Sequence, residues 1–226
     1  MALAAPRTTT RGAPTRAAAR PRDPAATATQ QSLKSAQTRA RVIDATIQCI
    51  VRYGYASTTT PQIAAEAGLS RGAMLHHFEN GAAVIKAAIV ELHEKRLRAF
   101  RRAADTETHE VTTLVRTYWK QLQRPAFVAF HELALAARTN RDLAHILHPL
   151  QVEYRERFNA QAKLLFPEWQ SDPKGFHLAM TLSQTILEGM AVNLFTGSLD
   201  AEMVEPMLEL LEERIRAMNP AGRTGA

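Results

Sequence analysis

The stretch Thr58-Thr59-Thr60-Pro61-Gln62-Ile63-Ala64-Ala65-Glu66-Ala67-Gly68-Leu69-Ser70-Arg71-Gly72-Ala73-Met74-Leu75-His76-His77-Phe78 constrains this chain more than any other, because its capping residues leave room only for two short helices and a tight corner. Thr60 is a good N-cap and Pro61 carries the fixed φ of a first helical residue, so a helix is expected to begin there. Ile63, Ala64 and Ala67 give it a small apolar face. Gly68 supplies the left-handed end, and Ser70 can cap a second helix running from Arg71 to about Phe78. Helices joined this way form a helix-turn-helix, a unit that sets its second helix in the major groove of DNA.

The run from Gly54 to Phe78 resembles the DNA-binding domain of the tetracycline-repressor (TetR) family of bacterial transcription regulators. The likeness covers roughly residues 36–92 and is carried by Tyr53-Gly54, Thr59-Thr60, Ile63-Ala64, Ala67-Gly68-Leu69-Ser70 and the closing His77-Phe78. Beyond residue 92 it implies an all-helical partner domain without naming a ligand. The expected fold class is all-α: a three-helix helix-turn-helix DNA-binding domain over 32–80, then a helical effector-binding and dimerisation domain over 81–219.

A reading helix needs short or planar polar groups near its N-terminus to reach base edges, with donors at helix ends for phosphates. The expected DNA-binding set is Thr60, Pro61, Gln62, Ser70, Arg71, Gly72, Ala73, Leu75, His76 and His77. Arg71 can pair with guanine or hold a phosphate. Gly72 allows close backbone approach to DNA, or else is a small residue packed on the preceding helix. The resemblance places His76 facing DNA and His77 against a phosphate; the alternative is that one of them packs inward beneath Phe78. Thr60 is both a cap and a phosphate candidate, and capping is the preferred role. Two positions depart from the family pattern. Leu75 stands where many members have tyrosine, and Gly81 where a lysine is usual.

Elsewhere the chain reads as helices punctuated by caps and prolines. The first should span Ser32 or Ser35 to Tyr53, with Ile43, Ile47, Ile50 and Val51 on its buried stripe. Others are expected at 81–104, at 108–123, at 126–138 after Pro125, and at 141–166, the last kinked or restarted at Pro149. The final pair should run from Asp172-Pro173 to Phe195 and from Asp200 to Met218, with Pro206 making the last helix's first turn doubtful.

The 172–195 helix has two apolar sides, one with Leu178, Leu182 and Ile186 and one with Met180, Leu187, Met190 and Leu194. A surface helix needs only one. With Val204, Met207, Leu208, Leu211 and Ile215 of the last helix, the second side resembles the family's homodimer interface; the alternative is intrachain core. The resemblance also implies a small-molecule effector pocket, with Trp119, Phe127, His131, Gln184 and Glu188 as candidate lining and a mostly apolar effector.

The net charge of +6 is only partly a nucleic-acid signal. Arg7, Arg11, Arg16, Arg20 and Arg22 against Asp23 place +4 of it in the first thirty residues, leaving +6 − 4 = +2 elsewhere. Residues 1–31 hold almost no large apolar side chain and are expected to be a disordered basic tail, either a solvated extension or an arm on DNA phosphates. A disordered C-terminus is expected over 220–226. Cys49, the one cysteine, excludes an intrachain disulfide and fits a core position better than a redox sensor. With neither a long apolar run nor a secretory leader, a cytoplasmic protein that associates with the nucleoid when bound to DNA is expected. No phosphate-cradling glycine loop, nucleophile elbow or metal-ligand spacing is visible, so neither enzyme activity, metal nor cofactor is expected. The leading reading is a ligand-responsive repressor that binds a palindromic double-stranded operator as a dimer. The alternative is a helical protein–protein adaptor that has lost DNA binding.

Overall fold

The computed structural model describes residues 24–104 and 110–219, and every regular element among them is helical. In chain order these are α1 (Pro24–Tyr53), α2 (Thr60–Glu66), α3 (Arg71–Leu75), α4 (Gly81–Ala104), α5 (Val111–Leu122), α6 (Pro125–Ala137), α7 (Arg141–Leu165), α8 (Pro173–Phe195) and α9 (Val204–Met218), with 3-10 turns at Pro167–Ser171 and Ala201–Met203. The fold is all-α, as expected. Residues 1–23, the expected helix start at Thr108 and the 220–226 C-terminus lie outside the described residues.

By contact the chain divides into residues 1–37 and 38–226. Within the first unit, α1 begins at Pro24 rather than at Ser32 or Ser35, so residues 24–31, expected in the tail, are helical. Local propensity accounts for it: proline is pre-set for a first helical turn and Pro24-Ala25-Ala26 adds the best helix formers.

In the second unit, four helices build a small head core. Val42, Ala45 and Cys49 of α1 meet Ile63 and Ala64 of α2, Met74 of α3, and Val84 of α4, with Ala67 and Phe78 from the flanking turns. Cys49 is 1% exposed, and its burial pushes the thiol up from its ordinary value, which makes it an inert core group. The other side of the same helices continues into the body. Ile47 and Ile50 pack with Ala88, Ile89 and Leu92 of α4, Phe130 and Leu133 of α6, and Leu143 and Leu147 of α7. A third core joins Val115 and Leu122 of α5, Phe127 of α6, Leu187 and Met190 of α8, and Leu208 and Leu211 of α9.

Several boundaries follow the caps. Asn140 Oδ1 accepts from the Leu143 N–H at 2.9 Å and Asp172 Oδ1 from the Gly175 N–H at 2.8 Å, starting α7 and α8. α7 runs through Pro149 without a restart, since a proline removes one amide bond while flanking turns and buried Leu147 and Tyr154 hold the rod together. The doubtful first turn before Pro206 is the 3-10 turn, and α9 proper begins at Val204.

Candidate functional site

The head presents α3 on a corner made by Gly68, whose φ of +65° is the left-handed conformation glycine adopts without strain. Gly68 N–H bonds Ala65 O at 3.0 Å and Leu69 N–H bonds Ala64 O at 2.8 Å, closing α2. Ser70 then caps α3: its Oγ accepts from the Ala73 N–H at 3.1 Å. That hydroxyl oxygen is therefore engaged in holding the helix start.

The cap of α2 lies one residue earlier than expected. Thr59, in extended backbone, is the N-cap, and its N–H donates to Gln62 Oε1 at 2.8 Å. A glutamine three residues on can reach back in this way, whereas the residue three after Thr60 is Ile63, which cannot. Thr60 is instead the first helical residue, and Gln62 is committed to the corner.

α3 also ends sooner, at Leu75 rather than near Phe78. The His77 N–H bonds Met74 O at 3.0 Å, a tighter closure than an α-turn, and the Arg39 guanidinium donates to the His77 carbonyl while lying 4.2 Å from the Phe78 ring centroid. A donor from α1 thus takes a carbonyl that would otherwise seek a following turn. Met74 and Phe78 are buried and anchor α3 from beneath, which leaves Arg71, Gly72, Leu75 and His76 exposed, Ala73 and His77 half-buried. Pro61 is exposed beside them at the start of α2. At Gly72 a Cβ would meet only Ser70 Oγ, 4.0 Å away, so no neighbouring helix demands a small residue there.

The body holds a cavity of about 100 Å³ between α4, α5, α7, α8, α9 and the 3-10 turn after α7. Of the residues expected to line an effector site, Gln184 lines this cavity. Phe127 is core, with a ring 3.9 Å from the His131 imidazole, and Trp119 packs on the same core. His131 and Glu188 belong to a separate, half-buried polar cluster. Glu188 Oε1 accepts from Tyr118 Oη at 2.8 Å and from Arg96 at 3.1 Å, and Oε2 lies 3.7 Å from His131 Nε2. Burial opposes that charge, but the contacts with His131, Arg96 and Tyr118 together hold the Glu188 carboxyl below its ordinary value. Burial and the neighbouring carboxylate push the Tyr118 phenol up. Arg96 also lies over the Phe130 and Tyr154 rings at 4.4 and 4.5 Å. Gln184 and Glu188, one turn apart, therefore face different surroundings.

Much of the set expected at a subunit interface is occupied within the chain. Leu187, Met190, Leu208 and Leu211 are at most 3% exposed, and Met180, Val204, Met207 and Ile215 pack partly against the same interior; Leu194 is half-buried. The reason is α5, which presses on both α8 and α9 and covers the side read as free. The apolar residues left in the open are Leu178, Phe195, Met203 and Leu210. On α8, the exposed leucine comes from the side that the sequence pattern assigned to the interior.

The cavity's main walls went unread: Phe100, Phe158, Phe166, Glu168, Trp169 and Phe176. Phe166, Glu168 and Trp169 share one local signal, the helix break at Phe166-Pro167, whereas Phe100, Phe158 and Phe176 come from α4, α7 and α8 and share none. Buried His93 on α4 was also missed; its Nε2 is 3.0 Å from Gln151 Oε1 and its ring stacks on Tyr154 at 4.8 Å. Burial, with Arg96 close by, pulls its pKa down to about 4. Head and body are further tied by Glu132 of α6, whose Oε1 accepts from the Tyr55 N–H of the α1–α2 turn at 3.0 Å. Among the described residues no group of His, Cys, Asp and Glu is placed to hold a metal ion, and no helix is long and apolar enough to cross a membrane.

Residues 42–88 match the model of the bacterial regulatory proteins of the tetR family. The HTH-type transcriptional regulator TtgR of Pseudomonas putida is 30% identical over 166 residues, covering 74% of this chain and 72% of that protein. An uncharacterized HTH-type transcriptional regulator of Mycobacterium tuberculosis is 27% identical over 190 residues, covering 83% and 93%. Among solved structures, a TetR family transcription regulator from Marinobacter aquaeolei VT8 superposes with a TM-score of 0.61 at 17% identity, covering 84% of this chain and 98% of that one.

Proposed function

The chain belongs to the tetR family of DNA-binding transcription regulators, and from that premise we propose that it is a ligand-responsive repressor, binding a palindromic operator as a homodimer and released by a small-molecule effector. The observation that supports this best is the course of α4. Its N-terminal end puts Val84 into the head core and its far end puts Ala99 and Phe100 into the cavity wall. A molecule seated in the cavity touches the helix on which the reading unit stands, so its binding and DNA binding bias one element.

The DNA contacts fall on Arg71, Gly72, Ala73, Leu75 and His76 of α3 and its end, with Thr60, Pro61 and the half-buried His77 along the phosphates. Arg71 is the base-reading candidate. Residues 32–80 serve as the DNA-binding domain and 81–219 as the effector and dimerisation domain. A helix as short as α3 spans few base pairs, so two copies about a two-fold axis are needed for a specific site. The open apolar side of α8 and α9, with Leu178 and Leu210, is the surface for that contact.

The test is to select fragments bound by the full chain from genomic DNA and measure their affinity by fluorescence anisotropy across a salt series. A symmetric site bound by two chains supports the reading. A monomer in sedimentation at micromolar concentration removes the dimer, and no selection above random fragments removes DNA recognition and favours an adaptor.

A further inference from the structure

The lining of the body cavity is chemically one-sided. Among the described residues that line it, Glu168 is the one charged side chain; none is a lysine, arginine or histidine, and the other polar groups, such as Gln121, Ser183 and Gln184, are neutral. Tyr118 also lines the space, but its hydroxyl proton is given to Glu188. Arg96, a half-buried cation of the body, is itself held by Glu188 and does not line the cavity.

Glu168 is half-buried in the 3-10 turn after α7, and no cation pairs with it among the described residues. The cavity it lines is walled by rings. Trp169 lies 5.6 Å from Phe176, Phe176 6.0 Å from Phe166, Phe166 6.3 Å from Phe100, and Phe100 4.4 Å from Phe158, a continuous aromatic wall. Ring faces carry partial negative charge, so they attract a cation as the carboxylate does, and their low polarity strengthens the attraction. An anion would meet repulsion from Glu168 with no compensating positive charge among the described lining residues. A neutral guest would bury the carboxylate further without offsetting its lost hydration.

We propose that this cavity takes a small monocationic aromatic molecule, an amine or quaternary ammonium, with its charge beside Glu168 and its apolar part along the Trp169–Phe176–Phe166 wall. The proposal rests on the reading of the cavity as the effector site and assigns the chemical class of that effector.

The experiment is calorimetric titration of the full chain with two probes of the same shape, benzyltrimethylammonium and its neutral carbon isostere neopentylbenzene. It is run on the wild type, on Glu168→Gln, and on Glu156→Gln, a change on the exposed side of α7. Glu168→Gln should weaken benzyltrimethylammonium about tenfold, leave neopentylbenzene unchanged or tighter, and differ in this from Glu156→Gln. If neopentylbenzene binds and the ammonium either does not bind or is unaffected by Glu168→Gln, the cationic class is overturned while the cavity stands as a binding site. If neither probe binds any of the three proteins, the effector-site reading itself falls.

Discussion

The head and the body solve opposite problems with the same helices. In the head, small side chains such as Ala45, Ala64, Ala67 and Val84 draw the helices close, and the proposed DNA-reading residues Arg71, Gly72, Leu75 and His76 lie exposed on the outside. In the body, large rings line a space between the helices, and the proposed effector site faces inward. On the proposed reading, the head needs one backbone geometry kept rigid by Met74 and Phe78, whereas the body needs a shape that a guest can alter. A surface reader depends on a well-filled interior, and a ligand sensor depends on an interior left incomplete.

That contrast breaks most readily at Met74, which is fully buried. Met74→Ala should lower stability by about 2–5 kcal/mol, the range for deleting a large core side chain, and abolish operator binding. Benzyltrimethylammonium titration below the melting temperature should still give the wild-type affinity. Equal losses at both sites would mean that head and cavity are not separable in this way.

Acid should act on the region where α4 passes through the body. His93 binds a proton at about pH 4 in the folded chain and near its ordinary 6.5 when unfolded. Between these values the unfolded chain holds more protons than the native one, so stability rises with pH across that window. The contribution is fully present above about pH 6.5, falls away as pH drops toward 4, and amounts to roughly 3 kcal/mol at about 1.4 kcal/mol per pH unit. Urea midpoints at pH 7.5 and 4.5 check this, and His93→Gln should flatten the difference. An unchanged difference in the variant would place the acid sensitivity elsewhere.

Arg71→Ala probes the outer surface alone. Operator affinity should drop by about 1–3 kcal/mol if the guanidinium reads a guanine, with a melting temperature near wild type because the side chain is exposed. Equal weakening on unrelated DNA, with a salt slope smaller by about one, would instead make Arg71 a phosphate contact.

The same contrast decides how much could be read in advance. Head geometry is written locally: a glycine at the corner and serine at the next cap specify the turn within a few residues, which is why Gly68 and Ser70 stand where the pattern puts them. The shift from Thr60 to Thr59 hinged on one side-chain reach from Gln62, a detail propensity does not rank. In the body, helix spans followed from Asn140, Asp172 and the prolines, but partners did not. Periodicity showed that α8 has two apolar sides and could not say which one α5 covers, so Leu187 and Met190 were read outward and Leu178 inward. The cavity drew Phe100, Glu168, Trp169 and Phe176 from separate elements, and no spacing along the chain links them.

Gly81 gives the finest comparison, because it is the point where α4 leaves the head. A Cβ there would lie 3.1 Å from Thr60 Cγ2, so any side chain requires the Thr60 methyl to give way by a few tenths of an ångström. Gly81→Lys adds a cation beside the expected phosphate path, with an expected gain of a few-fold in operator affinity at low salt and a salt slope steeper by about one. Two terms oppose it: the Thr60 contact, and a positive charge in the first turn of a helix, which costs about 0.3–1 kcal/mol. Gly81→Ala separates them, since it adds the Cβ without the charge. If alanine binds as the wild type does and lysine binds tighter with the steeper slope, Gly81 faces the duplex and its small size is not what the fold needs. If both variants weaken binding equally and the slope stays fixed, then Gly81 serves the close packing of α4 on α2, and the phosphate path runs elsewhere on the head.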